Sequence, residues 1–115
     1  MSGVVNVQQL SPELCVAGQL GPEAMAWAAA QGFRSVINNR PDFEAGPDQP
    51  TNAAVEAAAR AAGLAYAYLP VAPMFQSPEQ IARMAELVAK LPKPILAYCR
   101  SGARSGRLYL ASTQV

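Results

Sequence analysis

The stretch from Ala97 to Gly106, "AYCRSGARSG", decides how this chain is read. It leaves the apolar run Lys93–Tyr98 ("KPILAY") and enters Ser105–Thr113 ("SGRLYLAST"), whose pattern suits a short last helix. A strand passing through a glycine-bearing loop into a helix is a half-unit of a parallel α/β sheet. Such a loop points several backbone N–H groups at one spot, and the helix dipole adds positive potential. Gly102 permits a φ > 0 turn, so the amides can curl inward. A Cys99 thiol in that field gives up its proton more readily, and the thiolate is the nucleophile. Arg104 adds charge that favours the thiolate and offers two parallel donors to an oxyanion. Arg100, Ser101, Gly102 and Ala103 complete the anion-binding loop. Ser105, at the expected helix start, can cap it and donate its hydroxyl to the sulfur. As a buried small hydrophobe ending a strand, Cys99 would leave Gly102, Arg104 and Ser105 without a purpose.

Outward from this loop, β-like runs alternate with helical ones. "VVNV" (Val4–Val7) and "CVAGQ" (Cys15–Gln19) read as short strands about a turn at Ser11-Pro12. "GPEAMAWAAAQG" reads as a helix with Pro22 in its first turn and Gly32 at its stop. "RSVINN" (Arg34–Asn39) is a buried strand, and "RPDFEAGPDQP", with three prolines and a glycine, is a long loop. Thr51 caps a helix reaching about Ala62, and "LAYAYLP" is a strand. Ser77-Pro78-Glu79-Gln80 is a capping box opening a helix that runs to about Leu91. This alternation implies an α/β architecture: a three-layer α/β/α sandwich with a mainly parallel sheet of four to five strands. Ligands in such folds sit beyond the carboxyl ends of the strands. Three polar loops should leave that edge: Asn38–Pro50, Pro70–Ser77 and Cys99–Ser105.

The totals narrow the chemistry. A chain of 115 residues forms one domain, 1–115. A formal net charge of +1 gives no case for nucleic acid or an anionic membrane. No apolar stretch is long enough to span a bilayer and the first residues lack a signal-peptide pattern, so a cytoplasmic protein is expected. There is no histidine and there are two cysteines, Cys15 and Cys99. Ser-His-Asp and Cys-His catalysis are thereby excluded, and neither a metal nor an organic cofactor is implied. Cys15, in an apolar strand, reads as core, as do Met25 and Trp27. Tyr66 and Tyr68 share one face of a strand and read as packing. Met74 and Phe75 can wall the pocket or cover it.

The blocks "VINNRPDFE", "LPVAP" and "ILAYCRSGARS", in that order, resemble the beta-lactamase-hydrolase-like protein, phosphatase-like domain family. The resemblance runs from "VAGQL" to Ser105. It implies the fold of the dual-specificity phosphatases, with Cys99 as nucleophile and Arg104 as anion binder. It also implies a link to sulfur transfer, because members occur alone or fused to sulfide- and persulfide-processing enzymes; such an enzyme is a candidate partner here. Two departures matter. Cysteine phosphatases carry His-Cys, five residues and then Arg; here Tyr98 stands in place of the histidine and only four residues separate Cys99 from Arg104. Single-domain rhodaneses have a similar "CRSG-RS" with this spacing. A transferring phosphoryl group presents three equatorial oxygens and needs a wide cradle. A persulfide adds one sulfur about 2.05 Å beyond the cysteine. The "VAPMFQS" loop, where related phosphatases carry an aspartic general acid, has no carboxylate.

These departures favour a rhodanese-like sulfurtransferase working through a Cys99 persulfide on a small anionic sulfur donor. The alternatives are a cysteine-dependent phosphatase acting on a phosphate ester and a non-catalytic anion- or partner-binding domain. A phosphatase would draw its general acid from Asp42 or Glu44. Asp42 can equally bond nearby backbone amides, and Arg40 can bind the anion, pair with Asp42 or fix the loop.

Overall fold

The computed structural model of the protein describes residues 6–115. Five strands alternate with four helices: β1 (Val7–Ser11), β2 (Leu14–Ala17), α1 (Ala24–Ala30), β3 (Ser35–Asn38), α2 (Asn52–Ala61), β4 (Ala65–Tyr68), α3 (Pro78–Lys90), β5 (Ile95–Tyr98) and α4 (Ala103–Ser112). The sheet order is β1-β2-β5-β3-β4. β1 lies antiparallel to β2, and the other four strands are parallel. The expected α/β/α sandwich on a mainly parallel sheet is therefore the fold.

The layering follows from the path. From β2 through α1 to β3, and through α2 to β4, the chain moves one way across the sheet; α3 then carries it back to β5. Right-handed crossovers put α1 and α2 on one face and α3 on the other. The packing agrees. Met25, Ala28, Val55 and Ala59 of α1 and α2 pack with Ala17, Val36, Leu96 and Tyr98. Met84, Leu87, Leu108 and Tyr109 of α3 and α4 pack with Val16, Ile37, Ile95 and Ala97. Alternate residues of β5 thus feed opposite cores, and all four are buried. The run "ILAY" is apolar throughout because both faces of a central parallel strand are covered.

β5 lies between β2 and β3, and its loop turns toward α4 while the loops of both neighbours turn toward the α1–α2 face. This reversal opens a crevice at the carboxyl ends of the strands. The registers Ala17↔Tyr98 and Asn38↔Tyr98 bring the three strand ends level. The Asn39 N–H donates to the Tyr98 carbonyl at 2.8 Å and the Cys99 N–H to the Ala17 carbonyl at 3.4 Å.

Several boundaries move from their expected places. Val4 and Val5 of the expected first strand lie outside the described residues, and β1 is Val7–Ser11. β2 ends at Ala17 and not Gln19, because the chain there turns onto the loop after β5. The Gln19 N–H donates to the Arg100 carbonyl at 3.2 Å, and a Cβ on Gly18 would sit 3.1 Å from that same oxygen. The Ser77 capping box forms as read, with Gln80 Oε1 accepting from the Ser77 N–H and Ser77 Oγ from the Gln80 N–H. Among the described residues no helix is long and apolar enough to cross a membrane.

Candidate active site

The loop after β5 is shaped by its backbone. Gly102 is the N-cap of α4 with φ 95°, so the turn curls inward. Its N–H donates to Cys99 Sγ at 3.1 Å. Burial opposes ionisation of this thiol, but the N–H groups of Ser105, Ser101 and Gly102 outweigh it and hold the thiol below its ordinary value. The Ser105 hydroxyl also adjoins the sulfur. Its single proton, however, goes to Asn39 Oδ1 at 2.8 Å, which leaves the backbone amides as the groups that acidify Cys99. Ser105 is thus not a helix cap: α4 begins two residues earlier, at Ala103, and Gly102 caps it without a side chain. Ser101 Oγ faces the Ala103 N–H at 3.4 Å.

Arg104 does a different task from the one its charge suggested. It is buried, and Nη1 donates to Glu44 Oε2 and to the Val71 carbonyl, each at 3.0 Å. Nη2 donates to Glu44 Oε1 at 3.1 Å. A guanidinium has five N–H donors. Among the described residues three are taken, and the two left are Nε–H and the second Nη2–H, which lie on one edge. Arg104 therefore keeps one two-pronged donor edge, the geometry that grips an oxyanion. Its charge is paired with Glu44, and the leading groups that lower the Cys99 thiol are the loop amides.

Glu44 and Arg40 form the wall opposite. Arg40 Nε donates to Glu44 Oε1 at 2.8 Å, and Arg40 Nη1 to Gln19 Oε1 at 2.9 Å. Arg40 thus pairs with Glu44 and not with Asp42, and its role is to fix the loop. Burial would raise the Glu44 carboxyl, yet the hydrogen bonds from Arg104 and Arg40 outweigh this and hold it below the usual 4.5. An ionised carboxylate with both oxygens engaged has no proton to give, so Glu44 does not fit the general-acid role. Asp42 does not fit it either. One of its oxygens accepts from the Asn52 N–H at 2.7 Å, the first amide of α2, and its own N–H donates to the Tyr68 hydroxyl at 2.9 Å. Its carboxylate anchors a helix N-terminus by accepting from a backbone amide.

A cavity of about 380 Å³ opens at this point, lined by Arg40, Glu44, Ala45, Pro73, Arg100 and Arg104. Three arginines against one glutamate leave it net positive, and Arg100 is the exposed one. Met74 and Phe75, 94% and 67% exposed, do not line this cavity; with Ala72, Pro73, Gln76 and Arg107 they line a second one that shares Pro73. Tyr66 and Tyr68 do more than pack. The Tyr66 hydroxyl donates to Asn52 Oδ1 and accepts from Asn38 Nδ2, and burial pushes that phenol up to about 12.

Three further residues, which the sequence did not single out, complete the frame. Asn39, fully buried, accepts from Ser105 and donates to the Leu69 carbonyl at 2.9 Å, tying the loops after β3, β4 and β5 together. Gln19 receives Arg40, and the Val71 carbonyl receives Arg104. The two asparagines closing "VINN" were the available signal, since polar side chains ending a buried strand need partners.

A sequence profile of beta-lactamase hydrolase-like protein, phosphatase-like domain matches residues 6–115. A beta-lactamase hydrolase-like protein of Xylella fastidiosa is 36% identical over 108 residues, covering 94% of this chain and 25% of that protein. The chain thus spans about a quarter of the length of that relative. Among solved structures, a candidate phosphatase from Neisseria meningitidis superposes with a TM-score of 0.77 at 28% identity, over 89% of this chain and 72% of that one. P. aeruginosa TpbA, solved as a cysteine-to-serine variant in complex with pTyr, superposes with a TM-score of 0.66 at 15% identity, over 90% of this chain and 59% of its own. That last likeness is one of fold alone, and the fold is the cysteine-phosphatase one. On the profile match and the Xylella relative together, this chain belongs to the beta-lactamase hydrolase-like protein, phosphatase-like domain family.

Proposed function

We propose that this domain is a cysteine-dependent phosphoric-ester hydrolase working through a cysteinyl-phosphate intermediate. The observation that carries this is one loop holding both an amide-acidified Cys99 and an Arg104 whose free edge is a two-pronged donor. In this reading the thiolate attacks phosphorus while the loop amides and Arg104 take the equatorial oxygens, so catalysis is positioning and charge stabilisation. Water then releases phosphate and restores the thiolate. The relatives favour this phosphatase alternative over the sulfurtransferase expected from the loop spacing; none of those compared brings support for sulfur transfer.

Sulfur transfer stays as the second reading because of one specific feature. Four residues between Cys99 and Arg104 make a ring one residue smaller than the phosphatase pattern, which suits a single added sulfur. A sulfide- or persulfide-processing partner belongs to that reading. A paired assay orders the two: p-nitrophenyl phosphate hydrolysis and thiosulfate-to-cyanide sulfur transfer, each with the parent chain and Cys99→Ser. We expect phosphate release to fall by more than about 10³-fold in the variant, as for loss of a nucleophile. Cys99-dependent sulfur transfer without phosphate release would reverse the order.

A further inference from the structure

We propose, resting on the phosphatase reading, that the site acts on phosphoryl donors whose leaving group departs as a stable anion. Acyl phosphates, phosphoanhydrides and phosphates of acidic phenols belong to this class; phosphates of serine-type alcohols do not. An alkoxide leaving group needs a proton from an acid within hydrogen-bond reach as the bond breaks. The chain has no histidine and eight carboxylates. Of these, Glu44 alone lines the cavity at the mouth, and three guanidinium hydrogen bonds occupy its two oxygens. Asp42 is spent on the Asn52 amide. Glu56 and Glu86 pair with cations on their own helices. Glu79 opens α3, Glu23 caps α1 and lies against Gly21, and Glu13 sits at the amino end of β2, opposite the site. Asp48 is in an exposed turn. The Pro70–Gln76 loop offers the site no acidic side chain at all.

The steps balance without a proton donor. As the S–P bond forms, the P–O bond breaks, and its electron pair leaves with the departing oxygen. Water oxygen then bonds to phosphorus, the S–P bond breaks, and the pair returns to Cys99; the water proton passes to the phosphate product or to solvent. A carboxylate that assists departure as an acid would assist the second step as a base. Lacking one, the domain breaks down its cysteinyl phosphate slowly, and the intermediate accumulates with reactive donors.

The test is a series on the full chain: acetyl phosphate, p-nitrophenyl phosphate, phenyl phosphate and O-phosphoserine. We expect kcat/KM to fall by up to about tenfold for each unit rise in leaving-group pKa, the dependence of a group leaving unprotonated. The two most reactive donors should share one kcat, give a burst of about one leaving group per chain and load a phosphoryl mass onto Cys99. Glu44→Gln should lower all four rates and leave the slope as it was. O-phosphoserine within about tenfold of p-nitrophenyl phosphate, or a slope that steepens in Glu44→Gln, overturns the proposal, because either result requires a proton donor. The absence of Cys99-dependent phosphate release even from acetyl phosphate overturns the phosphatase reading itself, and this inference with it.

Discussion

The loops after β5 and β3 meet at the same cavity, yet they are built by different means. The loop after β5 is organised by its own backbone: Gly102 turns it, and the N–H groups of Ser101, Gly102 and Ser105 face Cys99. The loop after β3 is organised by side chains reaching elsewhere, with Glu44 on Arg104, Arg40 on Gln19 and Asp42 on Asn52. A backbone device is local and depends on spacing, whereas a side-chain device depends on which partners the fold brings near. Asp42 and Glu44 of the β3 loop make the point. Two residues apart, they serve a pair of buried arginines and a helix N-terminus.

The strongest way to break this comparison is Arg104→Lys. Lysine is a point charge without the guanidinium fork, so kcat/KM should fall by about 10² to 10³, as for loss of an oxyanion donor. If backbone amides acidify Cys99, the thiolate absorbance should titrate as in the parent chain. A thiol pKa that rises in this variant would give Arg104 a share in the acidification and erase the distinction between the loops.

Glu44→Gln tests the other side. It weakens charge-assisted bonds to two arginines and should cost about 1–3 kcal/mol of stability at neutral pH. Because the folded-state carboxyl lies below its ordinary 4.5, its contribution is present above that value and is lost as pH falls through the lower folded one. Thermal unfolding followed from pH 6 downward should therefore fall less steeply in the variant. Parallel acid profiles for the two chains would mean the carboxylate is not held by its arginines.

The smallest effect should come from Asp42→Ala. Losing the acceptor at the α2 N-terminus should cost about 1 kcal/mol, read as a lower midpoint in urea, with kcat/KM within a few-fold of the parent. A loss of activity as large as that of Arg104→Lys, in a chain that still folds, would put Asp42 into the chemistry.

How far the sequence reaches follows from these same residues. The stretch "AYCRSGARSG" determined the site's centre because everything it needs is local: an apolar strand, a glycine able to turn, amides that follow in order. The sandwich was legible for a similar reason, since alternating apolar runs and caps such as Ser77-Pro78-Glu79-Gln80 are short-range signals. Ser105 shows where that reach ends. Its position suited a helix cap, but a helix start two residues earlier and an Asn39 sixty-six residues away made it a strut between two loops. Only the tertiary structure decided that Arg104 meets Glu44 across sixty residues, that Arg40 turns to Gln19, and that Asp42 turns to the first amide of α2. Hydrogen-bond partners distant in sequence are chosen by how strands order and helices cross, and those choices are made by the packing of both cores at once.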